Sequence, residues 1–460
     1  MTTSESRASD FQELCALAER EQARLGVPGV AIGVALGDQQ HLAGLGVTSV
    51  EHPLAVDPDT LFQVGSITKT VTGTVIMRLA ERGLLDLDAP VRRYLPELRL
   101  GDEGVAARVT LRHLLNHTAG WLGDYFEDMG DGDDALARIV ARLAELPQLA
   151  PLGALWSYNN AAFYLAGRLV ELAAGRPFER VAHDELLAPL GMDHSFFFPG
   201  EIMTYRFATG HQNSYDPAAP SATVARPWPL ARTANPAGGL SSTVRDLLRY
   251  ARFHMGDGRA QDGARLLARE SLEHMRAPGA AATAGQQIGV TWFLSEAGGI
   301  RTARHGGATN GQKATLLLAP ERQFGLALLT NADRGGELNQ ALIARALELF
   351  LGVPPAAPAL RDLSGEQLAE YAGSYDSGLG TYRLAPLAGG LELRYQPKGG
   401  FPTKDSPPPP APPPARLAFC GDDDVVGVEE PFRDARGEFL RAPDGSIAWF
   451  RFGARANARA

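Results

Sequence analysis

Two stretches of the chain carry apolar residues at intervals of three and four positions, the pattern of an amphipathic helix. The first contains Ile67, Val71, Val75, Ile76 and Leu79 and reaches a terminating glycine at Gly83. The second contains Ala162, Leu165, Leu169 and Leu172 and ends near Gly175. Farther along, apolar runs at 314–318 and 324–329 flank a turn at 319–322, and this arrangement predicts a β-hairpin.

The pattern changes after about residue 352. A proline-rich segment at 354–358 predicts a stiff linker. Short alternating segments at 381–384, 391–395 and 448–452 then predict β-strands separated by turns. A run of prolines with one alanine, at 407–414, interrupts them and cannot pair in a sheet, so it predicts an extended polyproline loop. That loop either folds over a cleft or forms a solvated spacer between strands.

One of the rare lysines follows a serine by three positions. Arginine supplies all but four of the 44 basic residues, which suggests that Lys69 has a role arginine cannot fill. A desolvated lysine can act as a neutral base, whereas arginine keeps its proton. At the start of the first predicted helix, Ser66 would share a face with Lys69 and lie near unpaired backbone N–H groups. The pair predicts a serine nucleophile with a lysine base; the alternative is a chance tetrapeptide on an exposed helix.

Tyr158 is a second candidate, because it is the one tyrosine with an asparagine two positions later. It lies where a turn-rich stretch meets the second predicted helix, so its hydroxyl could reach a cleft. Asn160 could orient a neighbouring side chain or bind a substrate amide. The alternative is a tyrosine packed in the core with its hydroxyl satisfied.

A histidine followed two positions later by glycine occurs twice. His254 ends a helical pattern, so Gly256 is interpreted as a C-cap. His305 instead precedes the predicted hairpin and is followed by Gly306 and Gly307. Two glycines at a strand edge let a ligand approach the backbone closely, which favours His305 as the candidate site residue.

In this order, the three motifs resemble those of the serine β-lactamase-related family, which includes class C β-lactamases, penicillin-binding DD-peptidases, D-aminopeptidases and family VIII carboxylesterases. The resemblance runs through most of residues 20–350, including 114–120, 189–192 and 237–242. It implies that Ser66 is acylated and that Lys69 is its base. It also implies that Tyr158 shuttles the proton and that Asn160 contacts the substrate amide.

The third motif departs from the family's usual Lys-Thr-Gly, since His305 replaces the lysine. Histidine is common there in esterase-like and aminopeptidase-like members, which argues against β-lactam resistance chemistry. The resemblance implies that His305 binds substrate or tunes the charge of the site, and that Gly306 and Gly307 line it. The oxyanion would be held by the backbone N–H groups of Ser66 and Ala308.

The resemblance also implies the fold, an α/β (α+β) architecture. A β-lactamase/transpeptidase-like catalytic domain, with an antiparallel sheet flanked by helices and a helical subdomain, is expected over residues 1–352. A proline-rich linker would cover 353–364. A small antiparallel β-barrel similar to the lipocalin-like domain of some family members would cover 365–460, with the polyproline loop at 407–414.

The expected activity is two-step acyl transfer through an acyl-Ser66 intermediate. The substrates would be small esters or amides, with D-amino-acid or peptidyl acyl groups favoured. One alternative is a penicillin-binding-protein-type thioesterase that transfers a peptidyl group to an amine and closes a macrocycle. Another is a non-catalytic binding protein that keeps the same fold. No cofactor is expected, and the oligomeric state is left open.

The composition of the chain bears on its expected partners and cellular compartment. The formal net charge of −9 argues against nucleic acid or an anionic membrane as a partner. No run approaches about 18 apolar residues, and residues 1–7 lack the pattern of a signal peptide. Two cysteines, Cys15 and Cys420, lie far apart and predict no disulfide, which fits a reducing cytoplasm.

Two further patterns have some features of metal sites. His113 and His117 have the spacing of ligands on a helix but lack the glutamate of the His-Glu-x-x-His motif and a third ligand, so no metal is expected. The acidic stretch from Asp124 to Asp134 does not keep calcium-loop spacing. It predicts a solvated loop whose last aspartates cap a helix over 135–146.

Overall fold

The computed structural model describes residues 4–216, 218–283 and 285–460; the first three residues of the amino-terminal segment lie outside these ranges. The helices of the described residues are α1 (Ser4–Leu25), α2 (Thr68–Glu81), α3 (Glu103–Arg108), α4 (Leu111–Leu115), α5 (Ala135–Arg142), α6 (Ala161–Ala174), α7 (Phe178–Ala182), α8 (Pro199–Ile202), α9 (Asn235–Gly238), α10 (Val244–Met255), α11 (Arg269–Met275), α12 (Gly335–Leu351) and α13 (Gly365–Tyr371). Among the described residues, no helix combines the length and apolarity needed to cross a bilayer.

The strands form one open sheet, a closed barrel and two small ribbons. Those before residue 331 are β1 (Gly29–Leu36), β2 (Gln39–Gly46), β3 (Phe62–Gln63), β4 (His211–Asn213), β5 (Ala222–Val224), β6 (Ser241–Ser242), β7 (Ala280–Ala281), β8 (Gln287–Ile288), β9 (Phe293–Ala297), β10 (Ile300–Thr309), β11 (Gln312–Ala319) and β12 (Phe324–Thr330). The barrel strands are β13 (Gly373–Asp376), β14 (Gly380–Leu387), β15 (Gly390–Pro397), β16 (Ala415–Phe419), β17 (Asp424–Gly427), β18 (Arg436–Arg441), β19 (Ile447–Phe452) and β20 (Arg455–Arg459).

The open sheet is antiparallel, with strand order β2-β1-β12-β11-β10-β9-β8-β7. Its two faces bury alternate residues of the same strand, as the two-residue period of a strand requires. On β1, Val30, Ile32 and Val34 pack with α1 and α12, whereas Ala31 and Ala35 join the larger core on the other face. The helices therefore flank the sheet on both sides.

Both predicted helices are confirmed. The first is α2, which is preceded by a 3₁₀ turn (Gly65–Ile67) and is buried along most of its length. The second is α6, which ends at Gly175 in the left-handed conformation that glycine accommodates without strain. These two helices and α9 share one hydrophobic core, and they form the centre of the helical subdomain.

The predicted hairpin is also confirmed, as β11 and β12 joined by a 3₁₀ turn (Pro320–Arg322). The strand before it, β10, carries His305. β9 pairs with residues 300–304 of β10, so residues 305–309 extend beyond the end of that pairing. This segment still pairs with β11 on its other side, which holds it firmly beside the candidate site.

The eight C-terminal strands close into an antiparallel barrel, which confirms the predicted architecture. Its interior is aromatic, with Tyr375, Phe419, Phe439 and Phe450 buried at the centre. The proline run at 407–414 lies between β15 and β16 and is mostly exposed. The segment just before it reaches the helical subdomain, where Phe401 contacts Phe126 and Lys404 pairs with Glu127.

The acidic stretch forms a largely exposed loop, as predicted, since residues 130–134 are all exposed, but the predicted helix cap, the helix end and one aspartate differ from the prediction. Asp134 precedes α5 but makes no side-chain cap, because its carboxylate instead pairs with Arg138 one helical turn later. α5 ends at Arg142 and continues as a 3₁₀ turn (Leu143–Glu145). Asp124, at the other end of the stretch, is buried rather than solvated.

The burial of β12 predicts how much stability the fold loses when one of its buried side chains is replaced by alanine. Leu328 of β12 is fully buried between the sheet and α12, so Leu328→Ala should lower the free energy of unfolding by about 2–5 kcal/mol. Urea-induced unfolding of the full chain measures it. Leu54→Ala, at a side chain 59% exposed, is the matched control and should change it by less than about 0.5 kcal/mol. Equal losses in both variants would contradict this packing.

Candidate active site

Ser66 lies in the 3₁₀ turn that leads into α2, so its hydroxyl is at the positive end of a helix. The turn depends on Gly65, whose φ of +52° is in the left-handed region. A Cβ on Gly65 would lie 2.6 Å from the backbone N of Ala308, so only glycine lets this turn approach β10. The candidate nucleophile is therefore fixed between α2 and the open sheet.

Lys69 is fully buried and directed at Ser66. Its Nζ lies 3.1 Å from Ser66 Oγ, 2.7 Å from Asn160 Oδ1 and 2.6 Å from the carbonyl oxygen of Ala237. The last two groups can only accept. A neutral amine would donate its two protons to them and keep its lone pair for the Ser66 hydroxyl.

The surroundings of Lys69 favour the neutral amine. Burial lowers the pKa of Lys69 well below its ordinary value, and the nearby Arg455 guanidinium adds to this effect. The carboxylate of Asp124 acts in the opposite direction. Since burial is the largest cause, an amine without a proton is the form that the site accommodates at lower cost.

Tyr158 lies over the same amine, with Lys69 Nζ 4.9 Å from the centre of its ring. Burial raises the pKa of Tyr158, and the neighbouring Ser66 hydroxyl opposes that shift. The tyrosine hydroxyl is buried and has no well-formed hydrogen bond among the described residues. A hydroxyl next to Ser66 is in position to take or return a proton during a reaction.

His117 supports Tyr158 from behind. Its ring stacks on the tyrosine ring at 4.3 Å, and its backbone has a φ of 61°. The backbone N–H of Asn159 donates to His117 Nδ1 at 3.0 Å, so this nitrogen is an acceptor. Burial lowers the pKa of His117 well below its ordinary value. The neutral imidazole ring of His117 therefore packs against the tyrosine ring and restricts its position.

His305 faces the site from β10, and its ring centre lies 6.3 Å from that of Tyr158. Nδ1 donates to the carbonyl oxygen of Gly306 at 2.6 Å, which leaves Nε2 as a buried acceptor without a partner among the described residues. Burial, with the nearby Lys69, lowers the pKa of His305 to about 3. The third motif therefore presents a neutral imidazole.

Gly307 brings the backbone of β10 against the nucleophile turn. A Cβ at this position would lie 1.9 Å from the carbonyl oxygen of Val64 and 3.2 Å from the backbone N of Ser66. Gly306 and Ala308 lie on either side of it, opposite Thr315 and Lys313 of β11. The backbone of Ala308 therefore lies beside the turn that carries Ser66.

Asn160 forms hydrogen bonds to both Lys69 and the carboxylate of Asp124. Its side chain accepts from Lys69 through Oδ1 and donates through Nδ2 to Asp124 Oδ1 at 3.0 Å. Asp124 is only 4% exposed and forms an ion pair with Arg455 of the barrel. Residues from both domains therefore surround the amine.

Comparison with known proteins identifies the family. The model of the family described as Beta-lactamase matches residues 16–350, which covers more than half of the chain. The chain belongs to the β-lactamase family. Penicillin-binding protein 4 of Amycolatopsis lactamdurans is 34% identical over 363 residues, which cover 76% of this chain and 93% of that protein. Esterase EstB of Burkholderia gladioli is 36% identical over 190 residues, 38% of this chain and 48% of that protein.

Solved structures resemble this β-lactamase-family chain over both of its domains. The crystal structure of SurE covers 99% of this chain and 100% of its own, with a TM-score of 0.75 and 27% identity. A structure of SurE with D-Leu covers 98% of this chain with a TM-score of 0.72. The octameric penicillin-binding protein homologue from Pyrococcus abyssi has a TM-score of 0.64 at 22% identity, which shows a shared fold.

The structure brings together every site residue that the motifs of this β-lactamase-family chain predicted, which are Ser66, Lys69, Tyr158, Asn160, His305, Gly306, Gly307 and Ala308. Sequence reasoning missed three neighbours. His117 was considered only as a metal ligand, Asp124 as part of a solvated loop, and Arg455 not at all. Asp124 and Arg455 are 331 positions apart and carry no local signal.

The lowered pKa of His305 predicts a stability difference that depends on pH. The folded chain leaves this imidazole neutral down to about pH 3, whereas in the unfolded chain it binds a proton below an ordinary pKa of 6.5. The folded state therefore loses stability as the pH falls below 6.5. His305→Gln removes this loss, so the variant should gain stability relative to wild type between pH 7.5 and 4.5.

Urea-induced unfolding of both proteins at several pH values measures this difference. His52→Gln, which removes an exposed imidazole, is the control for the loss of a histidine as such. A difference between wild type and His305→Gln that does not change with pH would contradict the burial of a neutral His305.

Proposed function

We propose that this chain is a serine acyl-hydrolase or acyltransferase that forms an acyl-Ser66 intermediate. The observation that carries the proposal is the buried Lys69 amine, whose Nζ lies within hydrogen-bond distance of Ser66 Oγ, Asn160 Oδ1 and the carbonyl oxygen of Ala237, so that a neutral amine would keep its lone pair for the Ser66 hydroxyl. A structural lysine would not need to be neutral, and a serine nucleophile needs such a base.

Acylation follows from this arrangement. Ser66 Oγ attacks the substrate carbonyl carbon as its proton passes to Lys69, with the Tyr158 hydroxyl beside both groups. The carbonyl oxygen becomes an oxyanion, held by the backbone N–H groups of Ser66 and Ala308. The C–O, C–N or C–S bond to the leaving group then breaks, and the leaving group takes up the proton from the Lys69–Tyr158 pair.

Deacylation repeats the sequence with a second nucleophile. Water or an amine attacks the acyl ester, gives a proton to the same pair and displaces Ser66 Oγ, which is reprotonated. Because Lys69 and Tyr158 lie in contact, their protonation is coupled and the pH dependence belongs to the pair.

Small esters and amides with D-amino-acid or peptidyl acyl groups are the proposed substrates. The relatives include an esterase and a penicillin-binding protein, and SurE has been solved with D-Leu. The neutral His305 supports substrates without an anionic group at this position, because it supplies no cation where family members with Lys-Thr-Gly carry one. Hydrolysis of such acyl groups is the simplest reaction consistent with the site.

Transfer of a peptidyl group to an amine is the second candidate, as in penicillin-binding-protein-type thioesterases. Its support is the likeness to SurE, which covers 99% of this chain and so extends through the barrel as well as the catalytic domain. Product analysis separates the two reactions. A hydrolase releases the free acid from an activated peptidyl ester. A transferase that uses an amine of the same peptidyl group as the acceptor releases a cyclic peptide.

The first prediction from the proposal concerns Ser66. Ser66→Ala should lower the rate of p-nitrophenyl acetate turnover about 10⁶-fold, because the variant lacks the oxygen atom that forms the acyl ester. Intact-protein mass from seconds to minutes after mixing should show one acyl adduct in wild type and none in the variant. Ser446→Ala, in an exposed barrel turn, should acylate like wild type. Residual activity above about a tenth of wild type would exclude Ser66 as the nucleophile.

Lys69→Arg tests whether the base must be able to lose its proton. Arginine keeps a positive charge but cannot accept a proton, so the acylation rate should fall about 10²–10⁴-fold. Lys398→Arg, at a surface ion pair with Asp376, should keep the wild-type rate. An active, folded Lys69→Arg protein would rule out Lys69 as the base.

A further inference from the structure

The C-terminal barrel contacts the candidate catalytic tyrosine directly. The turn between β19 and β20 lies against the segment before α6, where the backbone N–H of Tyr158 donates to the carbonyl oxygen of Ala454 at 2.9 Å. The backbone N–H of Ala456 donates to Ser157 Oγ at 3.2 Å. Ala454 also packs in a small cluster with Tyr158, which binds the turn to the site by apolar contact as well.

Arg455, the first residue of β20, extends to the rim of the cleft. Its Nε and Nη2 donate to Asp124 Oδ2 and Oδ1 at 3.0 and 2.9 Å, a bidentate ion pair. Nη1 donates to the carbonyl oxygen of Gly453 at 3.1 Å, and the guanidinium lies 4.8 Å from the centre of the Tyr158 ring. Two of these three hydrogen bonds go to Asp124, and the side chains of Arg455 and Asp124 are 23% and 4% exposed, so the guanidinium is held against this carboxylate.

A chain of polar contacts continues from this ion pair to the base. Asp124 Oδ1 also accepts from Asn160 Nδ2, and this bond turns the other end of the amide, Oδ1, toward Lys69. The order Arg455, Asp124, Asn160, Lys69 thus joins the barrel to the amine through alternating donors and acceptors. Each member restricts the orientation of the next.

We propose that Arg455, supplied by the barrel, is a positioning residue of the active site: it fixes Asp124, which orients the Asn160 carbonyl toward Lys69, and it neutralises that carboxylate, so that the amine stays a neutral base. This inference rests on the proposed serine chemistry. It makes the barrel part of the active site, because the family match ends at residue 350 while this contribution comes from β20.

The charged groups around Lys69 determine how the loss of Arg455 would change the protonation of the amine. The groups that face the amine are Tyr158 at the start of α6, His117 after α4, His305 on β10, Asp124 on the rim loop and Arg455 of the barrel. Both histidines are buried and neutral, so Asp124 and Arg455 are the two opposing charges. Removing Arg455 leaves a buried carboxylate whose attraction favours the ammonium form of Lys69.

The test is the pH dependence of the Ser66 acylation rate in the full chain, with p-nitrophenyl acetate as the acyl donor. Arg455→Gln should move the acidic limb of the profile to higher pH, so that the rate at the wild-type midpoint falls about tenfold. Asp124→Asn should move the limb to lower pH, because Arg455 is then unopposed. The double variant removes both charges and should return the limb toward that of wild type.

A merely structural role would give a different result. The rate would then fall at every pH without a shift of the limb, and the double variant would be at least as impaired as either single one. Arg441→Gln is the matched control, since Arg441 forms a bidentate pair with Asp423 elsewhere in the same barrel, with contacts of 2.9 and 2.8 Å. It should leave the limb in place.

The remaining outcomes separate this inference from the function on which it rests. If wild type forms no acyl-Ser66, the proposed function fails. If wild type is acylated and folded Arg455→Gln keeps its acidic limb, the positioning role is overturned. If Arg455→Gln does not fold, two other variants test the proposal. Arg455→Lys keeps the charge and should retain the acidic limb of wild type, whereas Asp124→Asn should still move the limb to lower pH. An unchanged limb in Asp124→Asn would overturn the proposal.

Discussion

A buried amine that must stay available to a serine is the constraint on which the rest of the site depends. Lys69 has no exposed surface, so every proton and its lone pair must be matched by the protein itself. The matching groups come from three places in the chain: Ser66 just before α2, Asn160 at the start of α6 and the carbonyl of Ala237 in α9. The helical subdomain holds these elements in one core, and its packing therefore fixes the geometry of the base.

The open sheet and the barrel complete the enclosure from opposite directions. β10 brings glycine backbone against the nucleophile turn, which is possible only because neither Gly65 nor Gly307 carries a side chain. The barrel binds the backbone of Tyr158 and neutralises Asp124. A domain appended to a β-lactamase-family catalytic unit is thus joined to the chemistry of that unit by hydrogen bonds and an ion pair, and not only by the linker.

The parts that could be predicted from the sequence are those encoded locally. Ser66 and Lys69 are one helical turn apart, α6 follows its apolar period to Gly175, and the hairpin after His305 follows from two apolar runs around a turn. Asp124 could not be predicted in this way, because a buried aspartate within an acidic stretch has the same local composition as a solvated one. Arg455 is one arginine among forty, and its partner is set only when the barrel closes and docks.

The protonation state of Lys69 decides whether it can act as a base, and it is directly measurable because the chain has only four lysines. Lysine labelled with ¹³C at Cε gives one resonance for each of Lys69, Lys313, Lys398 and Lys404 in heteronuclear NMR spectra, and Lys69→Arg assigns the resonance of interest. We expect the Lys69 resonance to titrate well below the ordinary pKa of 10.5, because burial opposes the charge. A Lys69 resonance that remains that of an ammonium group up to pH 10 would contradict it.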